Sequence, residues 1–390
     1  MTASRSRICL LAVGLAAVAG VTAGGARPAS SKDQNMLVYI GTYTNAKSKG
    51  IYAFRMDPNS GKLTPVGLVA ETPSPSYLAF SPNHKYLVAA NEVSSFGGEK
   101  AGAVTSFSIN ADTGKLTQLS QQSSKGDGPC HIWVDNTGKS VLVANYGAGN
   151  IAALPLAADG KLSPASAFIQ HKGTSVNPQR QEGPHAHCIM TSPDNKFVLA
   201  ADLGLDKVLV YHFDPVKGTL TPNDPPAGTL KPGSGPRHIA FYPSGKYAYV
   251  INEMGMTVTA FNYDAKKGTL KEFQSLSTVA PGTTGKDFST AELRMHPSGK
   301  FLYGTNRGHH SIAIYSIDQS NGHLTFVAAQ PAGVKTPRGM AIDPSGKFLI
   351  AAGQDSDNLT VFRIDQSTGK LTQVGGPIPS PSPVDVEFLP

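Results

Sequence analysis

The chain has 390 residues, enough for two average domains or one large all-β domain. It carries 41 glycines, 29 prolines and only 16% charged side chains, a balance that suits many short strands joined by tight turns. The formal net charge is +7, but no Lys/Arg block or basic amphipathic helix appears. The charge therefore points away from nucleic acid and toward small anionic ligands drawn by a diffuse positive field.

The first segment reads as an export signal rather than as part of a fold. Arg5 and Arg7 precede the apolar run from Ile8 to Ala19, and the small residues "VTAGGA" follow. This is the layout of a secretory signal peptide over residues 1–26, with cleavage expected near Ala23 or Ala26. The apolar run is short of the ~20 residues a membrane span needs, so no membrane anchor is expected. Loss of Arg5 and Arg7 would take the formal charge from +7 to +5. The mature chain would then keep only Cys130 and Cys188, which form neither a disulfide framework nor a CxxC metal site.

From residue 36 onward the chain repeats. A polar turn followed by Gly-x-Leu occurs seven times, from "MDPNSGKL" to "IDQSTGKL", with leucines at Leu63, Leu116, Leu162, Leu220, Leu270, Leu324 and Leu371. Between these copies lies a strand, a Pro-Ser-Gly-Lys-like turn and a second strand, as in "GPRHIAFYPSGKYAYVINEMG". Proline fixes φ at such a turn, and Gly or Asn tolerates φ > 0. A third strand such as "SIAIYSI" follows, and the Gly-x-Leu turn leads to a fourth. Four antiparallel strands repeated seven times predict a seven-bladed β-propeller over residues 36–390. The C-terminal "SPVDVEFLP" lacks a second strand and the N-terminal "MLVYIGTYT" lacks a first. The two are expected to pair, closing the ring and removing its open edges.

Columns that stay constant between blades are expected to be scaffold, and polar columns that vary are candidates for function. The position six before the turn anchor reads Ser76, Cys130, His187, Arg237, Ala291 and Arg338, with Val384 in the last blade. The position ten after it reads Glu92, Tyr146, Leu203, Glu253, Arg307 and Gln354. Both should lie at the end of the innermost hairpin away from its turn, at one mouth of the central channel. The column between them (Asn91, Asn145, Asp202, Asn252, Asn306, Gly353) is nearly constant and reads as strand-end hydrogen bonding. His187, Arg237, Glu253 and Arg307 fall in three consecutive blades, so they should share one sector of the mouth.

The segments "GPHAHCIMTSPDNKFVLAADLGLDKVLVY", "GPRHIAFYPSGKYAYVINEMG" and "ELRMHPSGKFLYGTNRGHHSIAIY" also resemble the seven-bladed propeller lactonase family. That family includes bacterial propeller-type 6-phosphogluconolactonases and fungal carboxy-cis,cis-muconate cyclases. In the cyclases a His, two Arg and a Glu around the channel mouth are proposed to act on the substrate. The resemblance carries those roles onto His187, Arg237, Glu253 and Arg307, the residues the columns select. It implies a lactonase that opens a sugar lactone or a carboxylated relative. A monomer without cofactor or metal is expected. The export signal points away from a phosphorylated substrate.

Lactone opening needs water to attack the ring carbonyl and a proton for the departing ring oxygen. Glu253 suits the general base, His187 the proton donor or orienter, and the arginines the oxyanion or a substrate carboxylate. His185, Arg338 and Glu92 are expected to contact substrate. His238, His309 and His310 are expected at the surface or in loops. His185 and His187, with Glu182 nearby, offer a partial metal site, but no matching ligand set appears elsewhere. The same residues would serve a muconate cycloisomerase, and the fold alone would serve a non-catalytic binding propeller.

Overall fold

The computed structural model describes residues 35–390, and the expected signal peptide lies outside them. The described residues form seven four-stranded antiparallel sheets. Six are continuous in sequence, over residues 75–123, 129–170, 186–229, 236–277, 289–331 and 337–379, and are called here blades 1 to 6. The seventh joins Pro383–Phe388 to Met36–Thr42, Gly50–Met56 and Leu63–Glu71. Its closing register runs from Val38 opposite Phe388 to Gly41 opposite Asp385. The expected closure by the two terminal strands is therefore present. Each strand supplies the backbone donors and acceptors that the other would lack at an open edge.

The core lies between blades rather than in one centre. Val38, Ile40 and Val386 of blade 7 pack against Phe348, Ile350 and Val361 of blade 6, all buried. Equivalent clusters fill the other interfaces. Polar ties reinforce them: Tyr249 Oη donates to Gly322 O at 2.8 Å and Tyr303 Oη to Gly369 O at 2.8 Å, each reaching the Gly-x-Leu turn of the next blade. Those turn glycines sit at φ +76° and +73°, where a side chain would be strained.

One irregularity recurs at the mouth of the innermost hairpin. In blade 3, Ala186 pairs with Asp202 and Cys188 with Ala201, so His187 is an extra, unpaired residue. Arg237 occupies the same place between Pro236 and His238, and Cys130, Ser76 and Arg338 do so in their blades. Each is a β-bulge, which breaks strict alternation and re-aims side chains. Several of these strands open on a proline that has no ladder bond to lose, entered through a left-handed residue such as Gly235 at φ +63°. The bulge column is one of the two that vary between blades.

The near-constant Asn column caps the strand ends as expected. Asn145 Nδ2 donates to Ser124 O and Asn306 Nδ2 to Thr278 O, both at 2.9 Å. Cys130 and Cys188 are both free and buried.

Candidate active site

Glu253 follows the second strand of blade 4, Tyr247–Asn252, and its backbone is fixed on both sides. Its N–H donates to Gly235 O at 2.7 Å, and its carbonyl accepts from Thr290 N–H of blade 5 at 3.1 Å. The carboxylate is buried at the channel mouth, with 6% of the side chain exposed. Oε2 meets Arg307 Nη2 at 2.9 Å and Arg237 Nε at 3.2 Å, with His187 Nε2 at 3.7 Å. The four residues selected from the sequence thus converge on one carboxylate, His187 at more than hydrogen-bonding range.

A fifth partner was not expected. Arg180 Nη2 donates to Glu253 Oε1 at 2.7 Å and to Tyr146 Oη at 3.1 Å. It comes from the connection over residues 171–185, between blades 2 and 3. The unusual length of that connection was the available signal, since ordinary turns between strands are shorter. Tyr146 stood in the variable column but was not selected.

Electrostatics follow from this crowding. Burial alone would push the Glu253 carboxyl up, but Arg307, Arg237 and Arg180 outweigh it and hold the group well below the usual carboxylate range. Burial, reinforced by Arg237, drives the His187 imidazole well below its ordinary value, so the ring is neutral at pH 7. Burial also lowers the Arg307 guanidinium to about 10; Arg237 and Arg338 add to this and Glu253 opposes it, so Arg307 remains a cation. Arg307 Nη2 is occupied by Glu253 and by Thr290 O, but its buried Nε has no partner among the described residues. Burial pushes the Cys130 thiol up, which disfavours the thiolate a nucleophile needs.

These side chains surround a cavity of about 390 Å³, lined among others by Tyr43, Tyr146, His187, Glu253, Arg307 and Arg338. Its size is within the range of small-molecule sites. Glu92 also lines it and accepts from Tyr43 Oη at 2.9 Å. Arg338 lies 5.3 Å over the Tyr43 ring, and among the described residues its guanidinium has no hydrogen-bonded partner. Glu92 and Arg338 thus line the same cavity as Glu253.

His185 does not. It precedes the strand Ala186–Thr191 and stacks on Tyr146 at 4.6 Å, while Nδ1 meets Tyr146 O and Nε2 meets Glu182. It braces the wall of the cavity from outside, and does not share a chelating face with His187. Among the described residues no group of three or more His, Cys, Asp or Glu side chains is placed to hold a metal.

His238 also departs from expectation. Instead of lying at the surface it is buried in the channel, 3.1 Å from Arg237 Nη1 through Nε2 and 3.0 Å from Glu292 Oε1 through Nδ1. The bulge at Arg237 breaks the alternation that would have sent it elsewhere. Glu292 in turn meets Arg294 at 3.4 Å, and Arg294 reaches Glu387 of blade 7 at 2.6 Å. His309 and His310 do lie in the turn after Phe301–Arg307.

A family model described as a seven-bladed β-propeller lactonase matches residues 37–388. The chain belongs to that lactonase family. It is 36% identical over 305 residues to a 6-phosphogluconolactonase of Bacillus subtilis, covering 78% of this chain and 84% of the relative. A 6-phosphogluconolactonase of Formosa agariphila is 33% identical over 310 residues, covering 78% and 86%. Among solved structures, a periplasmic gluconolactonase of Pseudomonas aeruginosa superposes with a TM-score of 0.86 at 34% identity, covering 91% of this chain and 99% of that one. These lactonases support hydrolysis over a cycloisomerase or a binding-only propeller.

Proposed function

We propose that this lactonase is exported and opens an unphosphorylated or carboxylated sugar lactone at the Glu253 cluster. The observation that carries the reading is the convergence of Arg237, Arg307 and His187 on one buried carboxylate beside a cavity of about 390 Å³. The export half rests on the sequence of residues 1–26 and on likeness to a periplasmic gluconolactonase.

Water attacks the lactone carbonyl and gives a proton to Glu253. The oxyanion that forms lies against the Arg307 guanidinium, with Arg237 adding charge. The ring C–O bond then breaks and the departing oxygen takes the proton, so one water is consumed and a hydroxy acid is released. His187, being neutral, orients and relays through its N–H rather than acting as an imidazolium acid. Arg338 and Glu92 hold the substrate's polar arm. Aldonolactones hydrolyse readily unaided, so a modest constellation suffices.

The test is a panel of neutral, carboxylated and phosphorylated aldonolactones, with cis,cis-muconates beside them, offered to the mature protein. Turnover of lactones without cyclisation of muconates is expected. The reverse pattern would replace hydrolysis by cycloisomerisation.

A further inference from the structure

The Glu253 carboxylate is poorly suited to take a proton as it stands. Oε2 faces two arginines and Oε1 is capped by Arg180. Arg237 and Arg307 are fixed: Arg237 is buried in the channel, and Arg307 also bonds the blade 5 backbone at Thr290 O. Arg180 differs, because its side chain is 42% exposed and comes from a loop rather than a strand.

The loop backbone is nevertheless anchored at several points. Asp202, which replaces the Asn of other blades, accepts from His171 Nδ1 at 2.6 Å through one oxygen and from His185 N–H at 2.8 Å through the other. It thereby ties both ends of the connection to one carboxylate. Between them, Ser175 Oγ donates to Asp206 at 2.5 Å, and the buried Gln181 donates to Leu203 O at 2.9 Å while accepting from Asn177 N–H at 3.1 Å. A held backbone thus presents a long, half-exposed side chain whose tip can change partner by rotation alone.

Arg180 also stands on a boundary. The inner cavity of about 390 Å³ and an outer one of about 480 Å³ share Arg180, Glu253 and Ser289 in their walls. The outer cavity is otherwise formed by residues 176–179 with Gly233, Met254 and Phe288. Three arginines against two glutamates line the inner cavity, with Arg237 a further cation behind Glu253. An anionic ligand would balance that excess.

We propose that Arg180 is a latch on the general base: it caps Glu253 Oε1 and transfers to an anionic group on the ligand as the ligand enters. The transfer frees Oε1 to hold the attacking water, while Arg237 and Arg307 keep the carboxylate in place. It also joins the two cavities, so that the ligand arm extends into the outer one. The ligand group is an anion distal to the lactone carbonyl: a carboxylate agrees with the proposed substrate class, and a phosphate would keep the latch while overturning that class. The catalytic part rests on the lactonase reading above; the exchange of partners does not.

The experiment compares the wild type with Arg180→Ala and Arg180→Lys, after circular dichroism has shown both to be folded. Calorimetry measures binding of gluconate, which has a neutral distal arm, and of glucarate and 6-phosphogluconate, which carry a distal carboxylate and a distal phosphate. Arg180→Ala should weaken whichever distal anion the wild type prefers by at least about tenfold, as expected for loss of a charge-assisted hydrogen bond. It should leave gluconate unchanged or slightly tighter. Arg180→Lys should keep part of the preference. Preference for glucarate assigns the group as carboxylate, and preference for 6-phosphogluconate as phosphate. In turnover, Arg180→Ala should raise kcat/KM for neutral gluconolactone while lowering it for lactones with a distal anion. Equal loss for all ligands, or no change in any, would overturn the latch. If the wild type opens no lactone, the functional reading fails, while the binding comparison still decides whether Arg180 exchanges partners.

Discussion

Glu253 of blade 4 and Arg307 of blade 5 meet at 2.9 Å across the boundary between two blades, although 54 positions separate them in the chain. The pair exists because each stands just past, or at, the end of a second strand, where neighbouring blades converge on the channel. Truncating Arg307 to alanine should lower kcat by about 10² or more, through loss of an oxyanion donor. Steady-state kinetics on a lactone the wild type accepts, with a thermal melt to show retained folding, checks this. Removing Arg307 leaves Glu253 paired with Arg237 and Arg180, so the fold should survive.

The pH dependence of activity should be flat where histidine enzymes usually change. Glu253 is held well below its ordinary value of 4.5 and His187 well below 6.5, so neither group titrates between about pH 5 and 8. After correction for the uncatalysed reaction, kcat/KM should show no acid limb near 6.5. For stability the sign is fixed by the depressed carboxyl. Its contribution is present above 4.5, the unfolded value, and is lost as pH falls from there toward the folded value. An acid limb centred near 6.5 would show His187 to be charged in the working enzyme.

Glu292→Ala should destabilise the whole ring. It removes the carboxylate that His238 and Arg294 share inside the channel, leaving Arg294 with Glu387 at 2.6 Å and His238 with Arg237 at 3.1 Å. Losing a hydrogen bond to a charged group in this way costs about 1.5–3 kcal/mol. Chemical denaturation of the variant beside the wild type measures it. His238 also positions Arg237, so residual activity should fall further than the loss of folded protein accounts for.

Deleting residues 382–390 removes the strand Pro383–Phe388 and opens the ring at blade 7. It exposes the edge of Met36–Thr42 and uncovers the core around Val386 and Phe388. The thermal midpoint should fall sharply. An unchanged midpoint would show that the ring does not depend on its closing strand.

The fold was legible because its information repeats. Seven Gly-x-Leu turns and six strand–turn–strand units fix period, strand count and closure without any long-range inference. The four site residues were legible for the same reason, since each stands in a polar column that varies between blades. What escaped lay outside the repeat or at a break in it. Arg180 comes from the connection over residues 171–185, which no other blade shares, and its direction is set by Asp202, Asp206 and Gln181 through tertiary hydrogen bonds. His238 was misplaced because a bulge at Arg237 shifts the strand by one residue, and in a β-strand one residue decides which face a side chain takes. His185 stands just before its strand, and its stacking on Tyr146 depends on a residue in another blade.

Export is tested by mass spectrometry of the protein recovered from its native host. The mature chain should begin near residues 24–27. A cytoplasmic product that retains Arg5 and Arg7 would restore phosphorylated lactones as the substrate class.

The most direct test of the catalytic assignment is the turnover of Glu253→Gln on the best lactone of the panel. Glutamine keeps the size of the side chain and an acceptor for the arginines, but it cannot take a proton from water. The expected result is a folded protein with kcat lowered by about 10² or more. Full wild-type turnover in folded Glu253→Gln on every lactone accepted would make the cluster a structural ion network and contradict the account.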